Sequence, residues 1–261
     1  MFAVDTHVHL YGGHDAERLF HAAARHAADA ARRIDRILEG LLLCLTEGAD
    51  AGAFEALARG DRGLRVAATG EPVSLRVDGF TPPIFLIRGR QIVSREGLEA
   101  LAIGWAAPWA DRELALGDLV ARIVADGGWA IVPWGAGKWW GRRGAVLRAL
   151  LERPDGPPYA LGDNGGRPWF WPRPRPFALA AARGRAILPG SDPLPIRGEE
   201  STAGRCLAVC GDPLDMVRPA ACLVRALAAG RCAPLSPGGR EKLWRFVRNQ
   251  FLMQRRKSSR P

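Results

Sequence analysis

Apolar positions along this chain fall into two alternating regimes. Short continuous apolar runs occur near residues 2–8, 41–45, 64–68, 98–103, 129–133, 159–162 and 186–190, with an eighth near Cys206 to Cys210. Runs of this length, apolar on both faces, suit strands of a buried parallel sheet. Between them the apolar residues take helical spacing. Leu19, Ala23, Ala27, Ala30, Ile34 and Ile37 mark the first helix, with Asp15 to Glu17 placing acidic charge in its first turn. Further helices are predicted over Ala51–Arg59, Leu116–Ala125, Ala145–Glu152, Phe177–Arg183, Met216–Ala229 and Arg240–Gln254. Strand and helix in alternation predict an α/β fold, a distorted (β/α)7–8 TIM-like barrel. One stretch departs from the rule. Between residues 64 and 97 the pattern breaks into short strand-like pieces joined by Asp78-Gly79 and Arg88-Gly-Arg turn signals. This predicts a small β-hairpin excursion between strands two and four that can carry a third barrel strand, with residues 70–95 outside the barrel wall, after which Leu98 to Gly104 resumes the parallel type.

Length agrees with this architecture, because 261 residues at 48% hydrophobic composition suffice for one barrel domain, residues 1–261. The N-terminus has no basic segment followed by an apolar run, and no apolar stretch is long enough to span a bilayer, so a cytoplasmic protein is expected. Five cysteines, an odd number without a Cys-x-x-Cys pair, argue against a disulfide framework or a zinc ribbon. Cys44 reads as core. The net charge of +10 is concentrated in residues 240–261, which read as a solvated basic helix and tail. No nucleic-acid recognition motif accompanies that charge, and a small-molecule partner is the expectation.

The candidate chemistry lies at strand ends. Phe2-Ala-Val-Asp-Thr-His7-Val-His9 closes the first strand with two histidines two residues apart. The period of a strand puts both imidazoles on one face, where they can share a cation. In a parallel barrel that end is the active-site rim. Asp192 ends the late strand Ala186-Ile-Leu-Pro-Gly-Ser-Asp, and Asp163, Asn164 and Arg167 follow the strand at 159–162. Gly135-Ala-Gly-Lys138-Trp-Trp-Gly-Arg142-Arg, ahead of a helix, suits a substrate anion, although it lacks the spacing of a nucleotide P-loop. Glu47 at the end of the second strand is a further candidate ligand or base, and His14 lies in the loop after the histidine pair. His21 and His26 read as packing or surface residues.

Val4-Asp-Thr-His-Val-His-Leu10 resembles the opening motif of the amidohydrolase superfamily and of the related polymerase-and-histidinol-phosphatase domains, and Ala186 to Asp192 resembles their late strand. The resemblance implies a metal-dependent barrel hydrolase in which His7, His9, Asp192 and Asp163 hold a divalent ion, zinc or manganese. It further implies that Asp192 is the catalytic residue acting on metal-activated water, on an amide, ester or phosphoester. Lys138, Asn164 and Arg167 would bind the substrate. The chain departs from the pattern in having no histidine after His26, so a full binuclear cluster of the usual kind cannot form. The competing expectation is a catalytically degenerate barrel serving as a binding or scaffold protein.

Overall fold

The structure, a computed structural model, describes residues 1–48, 52–107, 113–235 and 241–258. Ser259 to Pro261, part of the expected basic tail, and Arg240, where the last helix was expected to begin, lie outside the described residues. Eleven strands form one sheet: β1 (Phe2–Val8), β2 (Leu41–Glu47), β3 (Val66–Ala68), β4 (Ser74–Val77), β5 (Ile84–Val93), β6 (Glu99–Ile103), β7 (Trp129–Pro133), β8 (Ala160–Asn164), β9 (Ile187–Gly190), β10 (Ala208–Cys210) and β11 (Cys232–Pro234). The path β11-β10-β1-β2-β5-β6-β7-β8-β9 curls into a nearly closed barrel, with β3 and β4 off the wall. The fold is the distorted TIM-like α/β barrel that the alternation predicts.

Apolar residues of the wall strands divide by face. Phe2, Val4, Leu42, Cys44, Phe85, Ile87, Leu101, Ile103, Ile131, Ala160 and Leu188 meet in one cluster inside the barrel, closed at the bottom by α6 (Pro219–Ala228) through Ala220, Leu223, Ala226 and Leu227. Outside, α1 (Ala16–Arg33) and α2 (Ala53–Ala58) cover one flank. The other is covered by α3 (Leu116–Ala125), α4 (Gly141–Glu152) and α5 (Arg175–Ala182). Both faces of the wall are therefore apolar, which is why the runs read as continuous. Asp15 caps α1, accepting from the Arg18 amide at 3.0 Å.

Three expectations are corrected. The excursion does not lie wholly outside the wall, because β5 pairs in parallel with β2 from Leu41↔Ile84 to Glu47↔Arg90. Its Arg88-Gly-Arg was read as a turn, yet Gly89 lies mid-strand. A Cβ there would stand 2.6 Å from the Ala102 carbonyl and 3.2 Å from that of Leu45. Close backbone approach on both sides is the reason for the glycine. Second, β6 is antiparallel to both β5 and β7. The connection at Ser94–Leu98 is a tight turn with Gly97 at φ +76, too short for a parallel crossover. The run at 64–68 gives β3, which pairs only with β4. Third, Cys210 and Cys232, opposite one another in the β10–β11 ladder, form a disulfide, and Cys44, Cys206 and Cys222 are free and buried. Counting and spacing did not anticipate a pair brought together by an antiparallel ladder whose two strands are separated by a helix. No helix among the described residues is long and apolar enough to cross a membrane.

β1 changes phase along its length. Ala3, Val4 and Asp5 pair with Leu41, Leu42 and Leu43, but the next partner, Leu45, lies opposite Val8. The extra residue is a bulge. Before it, Phe2 and Val4 point inward and Ala3 outward. After it, Val8 points outward, so His7 and His9 face the interior. The free edge of β1 is likewise divided. Its first half pairs with β10, from Phe2↔Cys210 to Val4↔Ala208. Its second half meets the end of β9, where Thr6 Oγ1 donates to the Pro189 carbonyl at 2.9 Å and the Asp192 amide donates to the His7 carbonyl at 2.8 Å.

Candidate metal centre

His7, His9 and Asp192 converge at the rim, one ligand atom from each lying within 4.8 Å of the others. His7 Nε2 and His9 Nε2 are 2.9 Å apart, and Asp192 Oδ1 is 3.5 Å from each. A triangle with those sides has a circumradius of about 1.9 Å, so an ion at or just above its plane meets all three at the roughly 2.0–2.2 Å expected for zinc with nitrogen and oxygen ligands. The donor set thus fits a divalent ion. Burial and the neighbouring His7 push the His9 imidazole down to about 4, opposed by Asp192, and keep its lone pair unprotonated at neutral pH. His7 Nδ1 is buried without a partner among the described residues.

The supports of this triangle are as specific as its members. Asp192 sits at φ +48, in the left-handed region. Strain of this kind persists only where surroundings enforce it. Here its amide is tied to His7 and its Oδ2 accepts from Asn164 Nδ2 at 2.7 Å, leaving Oδ1 toward the histidines. Asp5, fully buried, receives the Ser191 amide at 2.9 Å, the Gly204 amide at 2.8 Å, the His7 amide at 3.3 Å and the Ser191 hydroxyl. Burial pushes its carboxyl up to about 6 against those donors. Gln91 on β5 brings Oε1 to 3.2 Å from His7 Nε2. It went unnoticed in sequence because it lay within the stretch read as an excursion.

Other sequence candidates take different positions. Asp163 does not join the centre, because Arg167 Nε and Nη2 bind its two oxygens at 2.8 Å each. The same bidentate pair removes Arg167 as a free anion binder, and its Nη1 donates to the Trp171 carbonyl. Asn164 spends both amide hydrogens, on Asp192 and on the Trp134 carbonyl at 2.9 Å. It is a positioning residue for Asp192. Lys138 lines a cavity of about 250 Å³ together with Asp192, Asn164 and Trp134, but its ammonium is ion-paired with Glu99. Glu47 caps α2, accepting the Ala53 amide at 2.5 Å, and burial raises its carboxyl. His14 is buried and bonds the Leu194 carbonyl at 2.9 Å, while His26 bonds that of Ala203 at 2.8 Å.

The basic terminal helix has a role that composition did not suggest. α7 (Leu243–Ser258) lies over this cavity, with Phe246, Asn249, Gln250 and Met253 lining it. Arg245 and Arg248 reach buried Glu199 at 3.0 and 2.9 Å, and Arg205 pairs with buried Glu241 at 3.3 Å. It is therefore docked along one face.

Fold and site together define an α/β barrel with a candidate mononuclear metal centre at its rim. No family profile matches the chain, and no curated protein does. Among solved structures it is similar to PsfC from Pseudomonas syringae PB-5123, at TM-score 0.54 and 16% identity over 99% of this chain and 98% of that one, a likeness of fold. It is also similar, at TM-score 0.46 and 14% identity, to a two-domain protein from Bacteroides vulgatus containing a predicted PHP-like metal-dependent phosphoesterase, over 89% of this chain and 64% of that one.

Proposed function

We propose that this protein is a metal-dependent hydrolase acting on a small, anionic substrate through an amide, ester or phosphoester bond. The observation that carries the reading is the convergence of His7 Nε2, His9 Nε2 and Asp192 Oδ1, drawn from opposite ends of the chain, at spacings that suit a divalent ion of the zinc or manganese type. A bound ion of this kind lowers the pKa of a coordinated water to about 7 and polarises the bond to be cleaved. His7 and His9 would hold it as neutral imidazoles. Asn164 fixes the plane of the Asp192 carboxylate, and Asp192 is the group placed to accept a proton during attack. Gln91 offers its side-chain oxygen beside His7 Nε2 as a further oxygen donor for the ion. α7 restricts access of bulk water from above.

Metal analysis of protein supplied with zinc or manganese tests this. Wild type is expected to hold about one ion per chain and to hydrolyse an aryl ester or aryl phosphate in a metal-dependent way, while His7→Ala/His9→Ala loses both and keeps its far-ultraviolet spectrum. Should wild type bind no ion more tightly than the double variant, the site is a hydrogen-bonded remnant and the barrel serves binding alone.

A further inference from the structure

A larger cavity, of about 460 Å³, opens beside the first, and Trp134 lines both. Its walls include Trp134, Trp140, Trp171, Arg148, Arg173 and Arg175. Trp140 stacks on Trp171 with centroids 5.9 Å apart and planes at 16°, and Trp134 meets Trp171 edge-on at 6.1 Å. Trp140 is nevertheless 63% exposed, an indole left facing solvent. None of the three arginines is ion-paired or hydrogen-bonded among the described residues, whereas Arg167, Arg205, Arg245 and Arg248 close by all have carboxylate partners. All three are solvent-exposed, so each guanidinium is free to turn toward an anion held in the cavity.

The backbone adds to the same field. α4 and α5 both begin at this cavity, with Trp140 and Pro174 at their caps, neither start has a side-chain cap, and neither first turn carries an acidic residue. α1, by contrast, has Asp15 and Glu17 at its start. Two positive helix ends and three arginines thus face one aromatic-walled space of a size that suits a small molecule. The anion site expected at Lys138 has no free ammonium there, since Glu99 pairs with Lys138.

We propose that this cavity binds the planar, anionic end of the substrate: an aromatic or heteroaromatic ring bearing a phosphate or carboxylate, the ring against the indoles and the charge among Arg148, Arg173 and Arg175. The proposal rests on the hydrolase reading in one respect, that the molecule held here extends past Trp134 toward Asp192. Trp134 lines both cavities, and Asp192 lines the second.

Calorimetric titration with phenyl phosphate, inorganic phosphate and phenol tests it, using His7→Ala/His9→Ala alongside wild type so that turnover cannot obscure binding. Phenyl phosphate is expected to bind both proteins with affinities within about twofold of each other, and about tenfold or more tighter than either fragment. Arg173→Ala/Arg175→Ala should weaken phenyl phosphate about tenfold or more. Trp140→Ala, at an exposed position that spares the fold, should weaken phenyl phosphate while leaving inorganic phosphate unchanged. Phenyl phosphate binding no tighter than inorganic phosphate, or indifferent to the arginine replacements, would overturn the proposal. Phenyl phosphate binding by a wild-type protein that takes up no metal would remove the hydrolase reading and leave the aromatic-anion site standing. Metal uptake without phenyl phosphate binding does the reverse.

Discussion

Asp5 illustrates how much of the candidate centre depends on a side chain that cannot touch the ion. Its carboxylate gathers amides from Ser191 and Gly204 and the Ser191 hydroxyl, joining the first strand to the segment that carries Asp192. Asp5→Ala leaves those buried donors without a partner, at a cost on the order of 3 kcal/mol. Calorimetric melting is expected to show a loss of roughly 6–12 °C, given about 2–4 °C per kcal/mol at this chain length. A change within 1 °C would show that water replaces the carboxylate. The pair His7 and His9 was legible in sequence because strand periodicity fixes which residues share a face. That their shared face is the interior was not legible. Phe2 and Val4 already claim the inner face, and only the bulge between Asp5 and Val8 lets residues of opposite parity follow them inward. Asp163 failed for a related reason: a carboxylate at a strand end reads as a ligand until the arginine four residues on is seen to hold both of its oxygens.

At the scale of elements, buried parallel strands such as β2 and β7 announced themselves by unbroken apolar runs, and the helices between them by period. β5 did not, because Gly89 serves strand packing while looking like punctuation, and Gln91 was lost with it. α7 was legible as a helix but not as a roof. Its arginines looked like a solvated face, whereas two of them end on Glu199, a carboxylate buried in the short 3-10 turn Glu199–Thr202. Removing that anchor by Glu199→Ala should accelerate amide exchange across α7 by at least about tenfold while β1 and β2 keep their protection. Equal acceleration in the barrel strands would mean that Glu199 stabilises the core and not the docking of the helix.

For the whole molecule, stability should depend on pH in part through His26, which ties α1 to the Ala203 carbonyl. Burial lowers the pKa of this imidazole below its ordinary 6.5, so the folded state favours the neutral ring. The associated stability is complete above about pH 6.5 and is lost as the pH falls through the lowered folded value, because the unfolded chain takes up the proton first. His26→Asn, whose amide can donate in place of the ring nitrogen, should melt with a smaller loss between pH 7.5 and pH 5 than wild type does. Identical losses in the two proteins would exclude His26 as a contributor. The meeting of β1 with β9 has a further consequence. No ladder closes the barrel there among the described residues; bonds from Asp5, Thr6 and His7 to Pro189, Ser191 and Asp192 fasten the ring at one short clasp between residues far apart in the chain. Whatever binds His7, His9 and Asp192 together grips both sides of that clasp. It acts as a cross-link whose entropic effect grows with the length of chain it encloses. Chemistry and mechanical closure would then be one event, since a ligand seated at the rim would also lock the hoop.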